Sequence, residues 1–402
     1  MKIKLGVIFG GVSVEHEVSI ISAVQAMNAI DQEKYEIIPI YIDKERNWYT
    51  GKMLMDIDIY KDFNELKKYA KRVTLYKKDG SYYLQSLGFF KSNVAEIDVI
   101  FPIVHGANVE DGTLAGYLDT IGIPYVGSRV LGSALGQDKV VMKQVFAACN
   151  LPIVPYTWFY DVEYLNDAKK YEKEIKKIGY PVIVKPATLG SSVGITVVKK
   201  DSELDEAIMN TITYDNKIVI EKVIENLVEV NCSILGNYEY QEASVLEEVT
   251  STNEFLTYKD KYIGSSKKTG SSKGMASTSR IVPARLTKEM TEEVQEVAKN
   301  AFKALNLGGI CRVDFLIDKK AKKVYLNEPN TIPGSLSFYL WEPSGKKYCD
   351  LLDEAITIAI KDYKNKSKKT VSFDTNILSN FNGTKGVKGL KGIKGIKGKL
   401  GN

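Results

Sequence analysis

Two segments near the carboxyl end of the chain decide the fold: Arg312-Val313-Asp314-Phe315 and Asn327-Glu328-Pro329-Asn330-Thr331-Ile332-Pro333-Gly334. In the first, Arg312 and Asp314 alternate within an apolar run, so a strand would point both side chains to one face. In the second, Glu328 and Asn330 have the same spacing. Antiparallel pairing of the two strands would collect three oxygen-bearing side chains beside Arg312. Such a group suits Mg²⁺ and a transferring phosphoryl group, although a structural ion-pair cluster would have the same composition.

A loop around residue 190 favours the phosphate interpretation. An apolar strand ends at Lys185, and Gly190, Ser191, Ser192 and Gly194 follow before another apolar strand. Backbone N–H groups and hydroxyls of such a loop can surround phosphate oxygens. A Gly/Ser loop between strands is more often a plain hairpin. The lysine before it and the carboxylates after it make phosphate binding the better interpretation.

The order of these features resembles that of the ATP-grasp ligases, and further motifs narrow the resemblance to the D-alanine–D-alanine ligases. These motifs are Gly10-Gly11-Val12-Ser13-Val14-Glu15-His16-Glu17-Val18-Ser19, His105-Gly106, Glu110-Asp111-Gly112-Thr113 and Lys261-Tyr262. The resemblance implies an α/β (α+β) ATP-grasp fold with ATP between the central and C-terminal domains. It also implies an N-terminal domain with a mainly parallel sheet and helices. The implied activity is ATP-dependent ligation of two D-alanines through an acyl phosphate, for peptidoglycan synthesis.

The resemblance also implies roles for individual residues. The ATP-binding residues would be Lys139, Lys185, Ser192, Glu221, Lys222, Ile224, Glu229 and Lys261. The catalytic residues would be Glu15, Ser191, Tyr262, Arg312 and Gly334. Two Mg²⁺ ions, or Mn²⁺, would be held by Asp314, Glu328 and Asn330. The amino-acid substrates would contact Glu15, His105, Tyr339 and Leu340.

Two of these residues have structural alternatives. Glu15 follows a strand and can pair with the ammonium of the first D-alanine, but it could equally be a first-turn acid that the helix dipole favours. His105 lies at the end of an apolar strand and could be a core histidine. Both histidines of the chain, His16 and His105, lie inside motifs, so a histidine-rich metal site is not expected.

Departures from the family pattern lie on the acceptor side. Tyr339-Leu340 stands where many members have serine and leucine, and Ala107-Asn108-Val109 stands where small and basic residues are usual. The ATP and donor chemistry is therefore better supported than the second substrate. D-serine, D-lactate or another amino acid stays open as acceptor. A non-catalytic ATP-binding protein is a further alternative, which the intact carboxylates and Arg312 disfavour.

The length of 402 residues predicts two or three domains. We expect an N-terminal α/β substrate domain at 1–135, a central ATP-grasp domain at 136–225, a C-terminal catalytic domain at 226–362 and a disordered tail at 363–402. Expected elements include a helix at 166–178 and a short strand at 124–126. The long Ser/Gly/Lys-rich segment 253–279 carries Lys261-Tyr262 and is expected to be functional.

The net charge of +5 is concentrated in the tail. Residues 362–402 contain ten lysines and two aspartates, a net +8, which leaves −3 for the remaining chain. Nucleic-acid binding by the globular part therefore has no electrostatic support. The tail repeats Gly-x-Lys between Gly386 and Gly398, which indicates a solvated extension or a weak binder of anionic surfaces.

Hydrophobic runs, the first residues and the cysteines bear on location. No apolar run approaches the ~18 residues of a membrane span, and the first residues are typical of a strand, not a signal peptide. Four scattered cysteines indicate free thiols in a reducing cytoplasm. The resemblance implies a homodimer formed through the N-terminal domain.

Overall fold

A computed structural model describes residues 2–88, 91–190, 193–250 and 279–372. Three β-sheets organise these residues, and each is accompanied by helices. The described residues up to Asp362 form one compact unit. The three sheets lie within the three predicted domain ranges, but the boundary after residue 135 falls inside a helix, Val130–Gln137. The division into three domains stays a prediction.

The first sheet has seven strands in the order β6-β5-β4-β3-β2-β1-β7. They are β1 Ile3–Gly10, β2 Tyr35–Ile42, β3 Trp48–Thr50, β4 Lys71–Lys78, β5 Ser81–Ser86, β6 Asn93–Ile97 and β7 Val99–Val104. Its helices are α1 His16–Ala29, α2 Phe63–Tyr69 and α3 Thr113–Ile121. The predicted parallel pairing is confirmed for β7-β1-β2, and β3 to β6 extend the sheet by antiparallel pairs.

The glycines after β1 have a geometric reason. Gly10 has a φ of +89°, and a Cβ at this position would lie 2.2 Å from the Ile42 carbonyl oxygen, so only glycine fits. The turn leads into α1, where the Ser19 hydroxyl accepts from the Gly10 N–H and donates to the Ile103 carbonyl. The helix is thus tied to two parallel strands, and their carboxyl ends meet at one edge.

The second sheet has four antiparallel strands in the order β10-β9-β11-β8. They are β8 Tyr156–Tyr160, β9 Val182–Pro186, β10 Thr196–Val198 and β11 Lys217–Lys222. The helices in this part of the chain are α4 Val130–Gln137, α5 Lys139–Ala148, α6 Asp161–Asn166, α7 Ala168–Ile178 and α8 Leu204–Ile212, of which the last three pack against the sheet. The predicted helix at 166–178 is shorter, because Asp167 leaves helical geometry and its side chain caps α7 at the Lys170 N–H.

The third sheet has five antiparallel strands in the order β14-β13-β12-β15-β16. They are β12 Leu227–Gly236, β13 Gln241–Thr250, β14 Ser279–Ile281, β15 Gly309–Asp318 and β16 Lys323–Asn330. The helices are α9 Lys288–Ala304 and α10 Tyr348–Ser367. Buried residues of α9, among them Val294 and Phe302, pack in one core cluster with Val230 and Val313 of the sheet. The other face carries polar residues such as Asn231 and Asp314, which line the cavity, and also Leu235 and Ile310, which belong to another core cluster.

One predicted strand was wrong. Residues 124–126 make only an isolated bridge, between Tyr125 and Ile100. Pro124 lacks an N–H group and cannot donate to a ladder, which keeps the segment from becoming a full strand.

None of the helices in the described ranges combines the length and apolar character needed to cross a bilayer.

Candidate active site

A row of four polar residues crosses the third sheet. The register sets Glu247 opposite Asn231, Asn231 opposite Asp314, and Asp314 opposite Glu328. Residues directly opposite in antiparallel strands share a face, and all four line one cavity of about 370 Å³. The predicted pairing of the two strands that decide the fold is therefore confirmed.

Arg312 and Asn330 form the adjoining pair of the same register. Arg312 donates to both oxygens of Asp314, from Nε at 2.7 Å and from the terminal nitrogen at 2.8 Å. The Asn330 amide donates to Asp314 at 3.0 Å. Burial opposes the charge of Arg312, but Asp314 outweighs burial and raises the pKa of the guanidinium well above its ordinary value. A fixed positive charge thus lines the cavity.

The opposed carboxylates of Asp314 and Glu328 suit a cation. Like charges directly opposite each other destabilise paired strands unless a positive group compensates them. Lys139, the first residue of α5, places its Nζ 3.1 Å from a Glu328 oxygen and also donates to the Leu189 carbonyl at 2.9 Å. Two carboxylates and an amide oxygen are hard donors of the kind that Mg²⁺ prefers. The donor set fits the predicted metal.

A second charged group lies at the β9–β11 wall of the cavity. The Glu221 carboxylate lies 2.9 Å from Lys185 Nζ and 3.1 Å from Lys143 Nζ. Burial opposes ionisation of Glu221, but the two lysines outweigh burial and lower its pKa to about 2. Lys143 was not predicted. The signal was its place four residues after Lys139, which sets both lysines on one face of α5.

Beyond Glu221 the cavity becomes largely apolar. Among the residues that line this part are Ile183, Ile195, Val197, Val223, Ile224, Leu227, Val249, Phe315 and Leu316. Glu229 and Lys222 line it as well. The Lys222 ammonium donates to the carbonyls of Gly179 and Tyr180, so it holds the turn before β9. This apolar part of the cavity forms a slot next to the end of a strand. Such a slot can hold a flat heterocycle between its side chains, and the exposed backbone can hydrogen-bond its edge.

Glu15 and His105 lie at the carboxyl edge of the first sheet and line the same cavity. The Glu15 carboxylate lies against two glycines: a Cβ added to Gly106 would be 3.1 Å from its Oε2, and one added to Gly190 would be 3.6 Å away. His105 is buried, and its Nε2 lies 3.1 Å from the Ser22 hydroxyl. Burial lowers the pKa of His105, so the neutral imidazole is favoured.

Glu110 was predicted only as part of a motif, and the structure shows what it contacts. Its carboxylate accepts from the Gly106 N–H at 2.9 Å, from the Thr331 hydroxyl at 2.9 Å and from the Ile332 N–H at 3.0 Å. It therefore joins the segment after β7 to the segment after β16. Burial and then the charge of Glu15 raise the pKa of Glu110 to about 7.

The predicted acceptor residues do not all reach the cavity. Gly334 lines it. Leu340 is fully buried in a hydrophobic cluster with Leu336 and Trp341 and does not line the cavity, so its substrate contact stays a prediction. The apolar side chain gains more from burial in that core than from a polar cavity. Tyr339 is not among the residues that line the cavity, but its phenol donates at 2.9 Å to Glu247, which does line it.

Four predicted residues lie outside the described part of the chain: Ser191, Ser192, Lys261 and Tyr262. The Gly-x-Lys repeat after Gly386 lies outside it as well.

Comparison with family models decides the family. The D-ala D-ala ligase N-terminus model matches residues 4–128, and the D-ala D-ala ligase C-terminus model matches residues 145–357. The chain belongs to the D-alanine–D-alanine ligase family. The predicted ATP-grasp fold of this ligase family is thereby confirmed, with the cavity between the β9–β11 sheet and the β12–β16 sheet.

Relatives of this ligase family cover nearly the whole chain. The D-alanine–D-alanine ligase of Thermosipho melanesiensis is 40% identical over 378 residues, which are 94% of this chain and 98% of the relative. Among solved structures, the VanG D-Ala:D-Ser ligase of Enterococcus faecalis has a TM-score of 0.74 at 28% identity, covering 89% of this chain and all of that one. The Bacillus anthracis D-alanine–D-alanine ligase, solved with ATP, has a TM-score of 0.64 at 25% identity, covering 90% and 99%.

Proposed function

We propose that this chain is the ligase that joins two D-alanines to D-alanyl-D-alanine, with conversion of ATP to ADP and phosphate, for peptidoglycan precursors. The observation that carries the proposal is the polar row of the third sheet with Arg312 beside it, in a chain of the D-alanine–D-alanine ligase family. The cavity also joins lysines, carboxylates and an apolar slot, which are the groups that a nucleotide and two amino acids need.

ATP would occupy the side of the cavity formed by the second sheet. Lys139 and Lys185 line the cavity with their ammonium groups near carboxylates, and both suit phosphate oxygens. The backbone from Glu221 to Ile224 would bind adenine beside the apolar slot, and Glu229 would bind the ribose hydroxyls. The relative solved with ATP supports this nucleotide.

Asp314, Glu328 and Asn330 would hold two Mg²⁺ ions, or Mn²⁺. When bound, these ions would neutralise the charge that accumulates on the transferring phosphoryl group. The direct opposition of two carboxylates in the register supports this assignment.

The reaction would proceed in two substitutions. The carboxylate of the first D-alanine attacks the γ-phosphorus of ATP, which forms an acyl phosphate and releases ADP. The amine of the second D-alanine attacks the acyl carbon, the tetrahedral oxyanion collapses and phosphate leaves. Glu15 would bind the ammonium of the first D-alanine, and Arg312 with the Gly334 N–H would stabilise the oxyanion. His105 lies beside Glu15 as a neutral hydrogen-bonding group.

D-serine is the alternative acceptor to compare directly with D-alanine. The similarity to a D-Ala:D-Ser ligase makes D-serine the first alternative to D-alanine. D-lactate is the third candidate of this kind.

We further propose a homodimer that works in the cytoplasm, where ATP is abundant and thiols stay reduced. The four cysteines are free thiols. The basic tail would bind anionic surfaces weakly.

The test is phosphate release by the purified protein with ATP and Mg²⁺ across D-alanine, D-serine, D-lactate and the L-amino acids, with products identified by mass. We expect D-alanine to support phosphate release alone and to give the dipeptide. Release that does not depend on any D-amino acid would overturn the ligase assignment. A clear preference for D-serine or D-lactate as partner of D-alanine would change only the acceptor.

A further inference from the structure

An arginine side chain that the sequence analysis did not single out lies beside Glu247, at one end of the polar row. Arg280 belongs to β14 and pairs with Val249 of β13 in the register. Its side chain lines the cavity and is 19% exposed. The same cavity contains Arg312 and Gly334, the groups proposed to stabilise the oxyanion.

Tyr339 and Glu247 together hold the Arg280 guanidinium. The guanidinium carbon lies 4.4 Å from the centre of the Tyr339 ring, and a terminal nitrogen lies 3.4 Å from Glu247 Oε2. The other Glu247 oxygen accepts from the Tyr339 phenol at 2.9 Å and from the Asn231 amide at 2.8 Å. Stacking and ion pairing of this kind orient the plane of a guanidinium.

Each end of the polar row therefore carries a cationic side chain that can bind an anionic group of a substrate. Lys139 pairs with Glu328 at the β16 end, and Arg280 pairs with Glu247 at the β13 end. These ends are three strand spacings apart, about 14 Å. Lys139 and Arg280 are therefore too far apart to bind the same phosphate oxygen. Besides the nucleotide, the reaction brings in one anionic group that keeps its charge throughout, the carboxylate of the acceptor.

We propose that Arg280 binds the carboxylate of the acceptor amino acid, with Tyr339 and Glu247 as positioning residues. This inference rests on the proposed function. A guanidinium carries five N–H donors and can serve two carboxylates at once, so the contact with Glu247 is compatible with a bidentate pair to the acceptor. Tyr339 acts through its ring and not through a hydroxyl on the substrate. The larger residue at position 339 is then explained, because the tyrosine ring supports Arg280, which binds the substrate, whereas a serine could not.

Trapping the acyl phosphate with hydroxylamine separates acceptor binding from the earlier chemistry. D-alanine, ATP and hydroxylamine give D-alanyl hydroxamate, ADP and phosphate, and this reaction uses no acceptor carboxylate. Arg280→Met, Arg280→Lys and the wild type would be compared in hydroxamate formation and in dipeptide formation. The ATP KM would be measured in both. D-alaninamide, which lacks the carboxylate, would be offered as acceptor in parallel.

We expect Arg280→Met to form the hydroxamate near the wild-type rate while its acceptor KM for D-alanine rises about 10- to 100-fold, the loss of a hydrogen bond between charged groups. Arg280→Lys should recover part of this loss, because it keeps the charge but not the bidentate geometry. The wild type should prefer D-alanine over D-alaninamide, and Arg280→Met should lose that preference.

A double variant excludes a purely structural role. If Arg280 only neutralises Glu247, then Arg280→Met with Glu247→Gln should restore the acceptor KM, and the inference is overturned. An unchanged acceptor KM in Arg280→Met, or a raised ATP KM in its hydroxamate reaction, would overturn it as well. A wild type that forms neither hydroxamate nor dipeptide would overturn the proposed function, and this inference with it.

Discussion

Lys143 and Glu221 form an ion pair that solvent hardly reaches, with 3.1 Å between Nζ and Oε1 and side-chain exposures of 0% and 2%. Glu221 also pairs with Lys185, whose ammonium lies in the cavity. The buried lysine thus shares the charge of Glu221 and limits how strongly the carboxylate holds Lys185. Burial lowers the pKa of Lys143, which the charge of Glu221 opposes.

Lys143→Met should lower the free energy of unfolding by about 3 kcal/mol, the lower end of the cost of breaking a buried ion pair, because Lys185 still pairs with Glu221. The KM for ATP should rise, since Lys185 is then drawn toward Glu221. Urea unfolding and ATP titration measure the two effects. Lys173→Met, at an exposed position of α7, is the matched control. The combined variant with Glu221→Gln should be less stable than the single variant, because Lys185 then lies buried without the carboxylate it pairs with, and equal stability would contradict the pairing.

Glu328→Gln should leave the fold intact and reduce turnover at least ~100-fold, because the charge of a metal ligand is worth several kcal/mol in the transition state. Melting temperature and phosphate release over a Mg²⁺ titration would measure the outcome. Glu293→Gln, on the exposed face of α9, provides a control with the same chemical change. Turnover like that of the wild type, with the same Mg²⁺ dependence, would remove Glu328 from the metal site.

The raised pKa of Glu110 predicts a pH dependence of stability. The folded protein holds this proton up to about pH 7, whereas the unfolded chain releases it near 4.5. Between these values the folded state binds more protons, so the contribution is fully present below the unfolded pKa and is lost as the pH rises through the folded one. Glu110→Gln cannot titrate. Its stability relative to the wild type should therefore increase from about pH 5 to 8, by on the order of 3 kcal/mol.

Urea unfolding of both proteins at a series of pH values would measure this difference. Parallel stability curves across the range would show that Glu110 does not hold its proton in the folded state.

Deletion of residues 370–402 should leave the kinetics of ligation near the wild-type values. Within the deleted sequence, Gly386–Gly398 repeats glycine and lysine at a period of three, a composition too poor in apolar residues to pack on a core. Steady-state kinetics of the shortened and full-length chains would be compared at equal protein concentration. A tenfold loss in kcat/KM would show that the tail takes part in catalysis or assembly.

Several features of the site were predictable from local sequence. The alternation of Arg312 with Asp314, and of Glu328 with Asn330, predicted two strands with their polar groups on one face, and the register confirms this. The loop after Lys185 was predicted to lie between two strands, and the structure shows that these strands, β9 and β10, pair antiparallel. Strands β3 to β6 were not predicted. They are three to eight residues long, and their partly exposed positions give only weak alternation.

The sequence by itself determined the family, the strands that carry the carboxylates and the glycines that let the chain turn after β1. Spacing of two residues and a required positive φ are local constraints, so short stretches contain them in full. Only the tertiary structure decided that Asn231 and Glu247 extend the row, that Arg280 pairs with Glu247, that Lys143 pairs with Glu221, and that Glu110 joins two segments. Glu110 and Thr331 are 221 residues apart, and Tyr339 and Glu247 are 92 apart. Contacts across such distances depend on sheet register and helix packing, which no local pattern specifies.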